Sequence, residues 1–214
     1  MKWSEEAWRL AAPVYEKILE LPFVRELAEG TLSRDRFTFY LQQDAMYIDN
    51  YCRVLAHIAS RLADKRRRED FLRFALDGVM VEKALHEHYL GPDGLSGAVM
   101  SPACMLYTSF ETAQGLAPVE AEAAAVLPCF WVYQRVGEKI LATARRDNPF
   151  RHWIETYGDE AFARSTRRAV EICDELASAT SPDVRALMTD NFIHATRMEW
   201  LFWHSAYNKE QWLI

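Results

Sequence analysis

The spacing of its apolar residues constrains this chain more than any other feature. They recur at three- and four-residue steps almost throughout the 214 positions, and no alternating run survives beyond a few residues. That is the period of helix faces rather than of half-buried strands. Chain breakers are also scarce: 8 Gly and 8 Pro make 16 of 214 residues, about 7%, against an average of about 12%. A chain that is 50% hydrophobic and so rarely interrupted is expected to form long helices. At this size about 70% of the unfolded surface can be buried without staples. The expectation is an all-α bundle, one domain over residues 1–214.

Local signals place the helices. Ser4, ahead of Glu5 and Glu6, opens a first helix that Pro22 interrupts, and Gly30 closes the short segment after it. Ser33 starts a long helix to about Leu62. The basic run Lys65–Arg68 reads as a solvated turn before a helix from about Glu69 to Leu90, and GPDGLSG, from Gly91 on, is the clearest loop. Pro102 opens a short helix, and Pro118 sits in the first turn of one reaching about Ala144. Asp147 and Pro149 cap a brief helix ending at Tyr157-Gly158, and Asp159 begins the next. Ser181-Pro182-Asp183 starts the last, which runs to about Asn208.

Charge and cysteine usage narrow the partners. With 25 Lys and Arg against 31 Asp and Glu, the net charge is −6, which argues against nucleic acid or an anionic membrane as the main partner. No stretch reads as a membrane span. Cys52, Cys104, Cys129 and Cys173 show no CxxC pair and no zinc-type spacing, and Glu5 and Glu6 stand where a signal peptide would be apolar. Free thiols in the reducing cytoplasm are expected.

The chemistry shows in what interrupts the apolar stripes. In the Ser33 helix the stripe Phe37, Tyr40, Leu41, Tyr47, Tyr51, Leu55 has Asp44 in its middle. The last helix reads Val184, Met188, Phe192, Ala195, Glu199, Phe202, and Glu82 lies between Val79 and Leu85 in a third helix. A carboxylate on a core face costs several kcal/mol unless it is paired, hydrogen-bonded or facing a cavity. Any one of these acids is explained by a capping donor, a tyrosine or an arginine; three on separate helices point to a shared polar cavity. The run LPCFWVYQRVGEK adds Pro128 inside a helix, where it is expected to bend the axis, with Cys129 at the bend and Tyr133 one turn on. Cys129 is either a small inert core residue or, near ionisable partners, a nucleophile.

Several blocks together resemble the TenA/thiaminase II family: FYLQQDAMYI, YTS at Tyr107–Ser109, LPCFWVYQRVGEKI, WIETYG and NFIHATRMEWLFW, in this order along nearly the whole chain. The resemblance implies a haem-oxygenase-like helical bundle, usually a homotetramer. The implied activity is hydrolysis of aminopyrimidines: the aminomethyl-pyrimidine breakdown product of thiamin, and often thiamin itself, is converted to hydroxymethylpyrimidine for thiamin salvage. No cofactor and no metal are expected. Carried over residue by residue, it implies Cys129 as the catalytic cysteine, Asp44 as the pyrimidine-binding aspartate and Glu199 as the late glutamate. Tyr47, Tyr107, Tyr133, Tyr157 and Phe202 become substrate-binding residues, with the YTS tyrosine on the loop side. A cysteine in the LPC block places the chain with the cysteine-dependent branch. The chain departs from the family pattern at Arg197 and Met198, where an aromatic pair is expected, and in the shortened segment before YTS, which could border the entrance.

Two readings from other classes stand beside this one. Glu82 and His86 share a helical face and, with Glu199, could supply half of a di-metal oxidase site in the same bundle type, although no second symmetric Glu/His set is found. A non-catalytic pyrimidine-binding protein would need the cavity but not a cysteine beside two acids.

Overall fold

The computed structural model describes residues 1–91 and 93–214; Pro92, within the expected GPDGLSG loop, lies outside the described residues. Its helices are α1 (Trp3–Leu19), α2 (Pro22–Glu29), α3 (Arg34–Arg61), α4 (Lys65–Tyr89), α5 (Pro102–Ala113), α6 (Val119–Leu141), α7 (Arg151–Gly158), α8 (Glu160–Ala179) and α9 (Pro182–Asn208), with a 3-10 turn over Gln114–Leu116. Among the described residues there is no strand, and no helix is long and apolar enough to cross a membrane.

The helix ends follow capping chemistry. Ser33, Ser101, Asp159 and Ser181 each accept a hydrogen bond from the backbone N–H three residues on, satisfying a donor that the helix itself leaves free. Gly30 takes a left-handed φ of 76° and closes α2. Two expectations are corrected. Lys65–Arg68 is not a turn but the first turn of α4, because Asp64 caps it by accepting from the Arg67 N–H at 2.8 Å. Ser4 lies inside α1 rather than at its start: its N–H and hydroxyl both donate to Asp174 on α8, each at 2.8 Å, so a neighbouring helix supplies the cap.

The core is built around α6, which packs against α3, α5, α7, α8 and α9. Its buried Ala121, Ala123, Ala124 and Ala125 let the neighbours approach closely. The helix runs on through Pro128, and carbonyls on both sides of the proline accept side-chain donors from other helices: Asn191 to Ala121, Tyr51 to Val126 and Thr166 to Phe130. At Gly137 a Cβ would stand 2.4 Å from the Tyr157 carbonyl oxygen, so the glycine of the GEK block is what lets α7 lie directly on α6. One connected set of buried apolar residues extends from Trp3 to Ala206.

Candidate active site

Helices α3, α4, α6, α7 and α8 enclose a cavity of about 80 Å³, several times what one water needs. Asp44, Cys129, Tyr133 and Tyr157 face it, together with Tyr51 and Glu82. Each is there for a local reason. The α3 stripe turns Asp44 inward, one turn before Tyr47 and two before Tyr51. Tyr133 follows Cys129 by four residues and so shares its face of α6. The Gly137 contact brings Tyr157 against Tyr133, with ring centroids 5.1 Å apart.

Behind the sulfur lies a second layer of hydrogen-bonded pairs. Tyr107 on α5 donates to Glu199 Oε1 on α9 at 2.8 Å, and Tyr47 donates to Glu111 Oε1 at 2.9 Å. The Tyr47 and Tyr107 rings lie 4.7 Å apart, and Phe202 sits 5.7 Å from Tyr47. Tyr40 accepts from Trp153 Nε1 at 3.2 Å and donates to Tyr133 at 3.4 Å, tying α3, α6 and α7 together under the cavity floor. The structure thus gathers all eight sequence-predicted residues in one region: Asp44, Cys129, Tyr133 and Tyr157 on the cavity wall, and Glu199, Tyr47, Tyr107 and Phe202 packed behind it. Tyr107 is not on a loop, as the resemblance suggested, but in the middle of α5.

Glu111 is the functional candidate that sequence reasoning missed. It is fully buried, and its Oε2 has no hydrogen-bond partner. The signal was available: Glu111 follows Tyr107 by four residues and so lies on the same helical face. Arg197, by contrast, is exposed and Met198 half-buried, so the departure from the aromatic pair does not reach the cavity. Among the described residues of the shortened segment, 93–101, none lines the cavity.

The electrostatics set these acids apart. Glu122, also buried, is neutralised in the usual way by Arg61, and its Oε1 lies 2.7 Å from His57 Nδ1. Asp44, Glu111 and Glu199 have no cationic partner among the described residues. Burial, together with the charge of Glu82, pushes the Asp44 carboxyl up to about 8, against the weaker pull of Tyr40. Burial pushes Glu199 up to about 8 as well, with Tyr107 opposing. The Cys129 thiol is pushed up by burial and then by Glu199 and Glu111, while the Tyr47 hydroxyl favours the thiolate.

No metal arrangement emerges. Among the described residues no group of three His, Cys, Asp or Glu converges to hold an ion, so the di-metal half-site is not assembled. Glu82 and His86 pair with each other at 3.4 Å, while Glu199 is committed to Tyr107.

Comparison with known proteins identifies the family. Residues 8–209 match the model of the TENA/THI-4/PQQC family. The chain belongs to that family. It is 34% identical over 218 residues to the aminopyrimidine aminohydrolase of Bacillus subtilis (strain 168), spanning 99% of this chain and 92% of that protein. It is 27% identical to the aminopyrimidine aminohydrolase of Helicobacter pylori, spanning 97% and 99%. Among solved structures, the TenA homologue from P. horikoshii OT3 superposes with a TM-score of 0.87 at 26% identity, over 97% of this chain and 99% of that one. A domain from Shewanella denitrificans OS217 described as having a heme oxygenase-like fold superposes with a TM-score of 0.76 at 12% identity, over 96% and 92%, a likeness of fold alone.

Proposed function

We infer that this TENA/THI-4/PQQC family member is an aminopyrimidine aminohydrolase: it replaces the amino group of an aminomethylpyrimidine with hydroxyl, releasing ammonia and the hydroxymethylpyrimidine used in thiamin salvage. The observation that carries this reading is the meeting of the Cys129 thiol and Asp44 on one small aromatic-walled cavity, with two tyrosine-bonded glutamates packed behind it. The names of the full-length relatives support the same assignment.

The groups divide the work as follows. The Cys129 sulfur adds to the pyrimidine ring, and the displaced electron pair moves to a ring nitrogen. Asp44, held protonated by its burial, hydrogen-bonds that edge and supplies the proton. As the pair returns, the bond to the exocyclic nitrogen breaks. Glu199 keeps the departing amine protonated, then takes a proton from the water that replaces it. Sulfur is expelled as the ring regains aromaticity, so water and amine go in, alcohol and ammonia come out, and the thiol is restored. Tyr47 and Phe202 back the aromatic wall against which the flat ring lies. Thiolate formation costs most in so acidic a site, and the Tyr47 hydroxyl offsets part of that cost.

The protein acts as one domain in the cytoplasm and, by family resemblance, as a homotetramer. The exposed Leu72, Leu76, Val79 and Met80 of α4 offer apolar surface for such an assembly. The deciding experiment is steady-state ammonia release from aminomethylpyrimidine beside cleavage of thiamin. The expected result is turnover of both, with the higher kcat/KM on the aminomethyl compound. Tight binding without ammonia release would instead make the protein a pyrimidine carrier.

A further inference from the structure

The mechanism above does not use Glu82. This residue occupies an unusual place: it lines both the central cavity and the open groove on the outer side of α4, so it stands where the interior meets the exterior. Its side chain is 19% exposed. The walls it shares with Asp44 and Asp77 carry three carboxyls and, among the described residues, no Lys, Arg or His. Asp44, at the inner end, has an oxygen with no hydrogen-bond partner. Protonation relieves the cost of such a cluster in the free protein, and a cation that enters it can take the place of a proton.

The nearby titratable groups do not supply that cation. His86 sits 3.4 Å from one Glu82 oxygen, but burial lowers its pKa and keeps the ring neutral. Lys83 faces the outer groove and pairs with Glu87. Asp49 adds further negative charge, and burial together with Asp49 pushes the Glu82 carboxyl up to about 7, a value that an incoming positive charge would lower again.

We propose that Glu82 is a specificity-determining residue, one that with Asp77 makes the cavity mouth select pyrimidines whose ring substituent is cationic. The inference rests on the aminopyrimidine reading and deepens it. The amine substrate is an ammonium ion at neutral pH, and thiamin carries a quaternary nitrogen in the corresponding place. The product carries a neutral hydroxymethyl group. One carboxyl at the mouth therefore favours entry of either substrate and lets the product go, without touching the bonds that change.

The test compares a charged and a neutral ligand with the same ring. Dissociation constants for aminomethylpyrimidine and hydroxymethylpyrimidine are measured by calorimetry in Cys129→Ser and in Cys129→Ser/Glu82→Gln, where the substrate stays intact. Ammonia release by the wild type is recorded alongside. The expected result is about tenfold weaker binding of the ammonium compound on Glu82→Gln, the scale for losing one partly screened charge. Binding of the hydroxymethyl compound should be essentially unchanged. Equal losses for both ligands, or none for either, overturn the proposal, as does failure of both to bind. Wild-type protein that shows the charge discrimination but releases no ammonia refutes the hydrolase reading and leaves the selection by Glu82 standing.

Discussion

At the scale of single residues, the informative contrast is between acids that have a cation and acids that do not. Glu122 has Arg61 and stabilises the fold as a buried ion pair. Asp44, Glu111 and Glu199 have tyrosines or nothing, and they hold their protons tightly. The sign of the resulting pH dependence follows. A carboxyl whose folded pKa is about 8 and whose unfolded value is about 4 contributes stability that is fully present below about pH 4 and lost as pH rises through 8. Melting temperatures should therefore fall as pH rises from about 5 to about 8 and level off above that, and Asp44→Asn, which cannot ionise, should fall less steeply than wild type. Parallel slopes would place the Asp44 titration elsewhere. Asp44 and Glu199 were legible in the sequence because each interrupts an otherwise apolar helical stripe. Glu111 sits in a 12-residue helix where its four-residue spacing from Tyr107 marks a shared face, but so short a stripe gives one acid little contrast.

At the scale of elements, helix boundaries were legible at Ser33, Ser101, Asp159 and Ser181, where a side chain near in sequence supplies the cap. They were obscured where the cap comes from elsewhere or where a charge run masks it. Asp174 does this for α1 from another helix. At α4, four consecutive cations look like solvated turn residues until Asp64 is seen to cap them, with Arg67 drawn to Glu175 at 2.8 Å. The glycine in GEK has a role that spacing alone does not show, because it depends on α7 lying against α6. Framework and chemistry also separate at this level. Arg61 binds Glu122 and the Ala117 carbonyl, fixing the turn between α5 and α6 away from the cavity. Arg61→Ala should cost stability at the low end of the about 3–5 kcal/mol typical for stranding a buried charge, since His57 remains. Thermal unfolding should register that loss while kcat/KM stays near wild type. A large loss of kcat/KM in folded protein would join this pair to the site.

At the scale of the whole molecule, the bundle does something that no single helix announces. It brings a thiol from α6, an acid from α3 and a tyrosine from α7 to one hollow, backs them with an acid from α9 and a tyrosine from α5, then places a further acid from α4 at its edge. Three acids on separate stripes suggested such a hollow, but only packing decides whether stripes meet or pass one another. In this protein they meet around α6. The account therefore turns on whether the Cys129 sulfur is the reacting atom of that hollow or a bystander in its wall. Cys129→Ser measures this most directly, with ammonia release and binding of hydroxymethylpyrimidine read on the same folded protein. The account predicts loss of turnover beyond detection with product affinity within about threefold of wild type, since a single-atom change leaves the ring pocket and its hydrogen bonds in place. A serine variant that still releases ammonia at near the wild-type rate would contradict it.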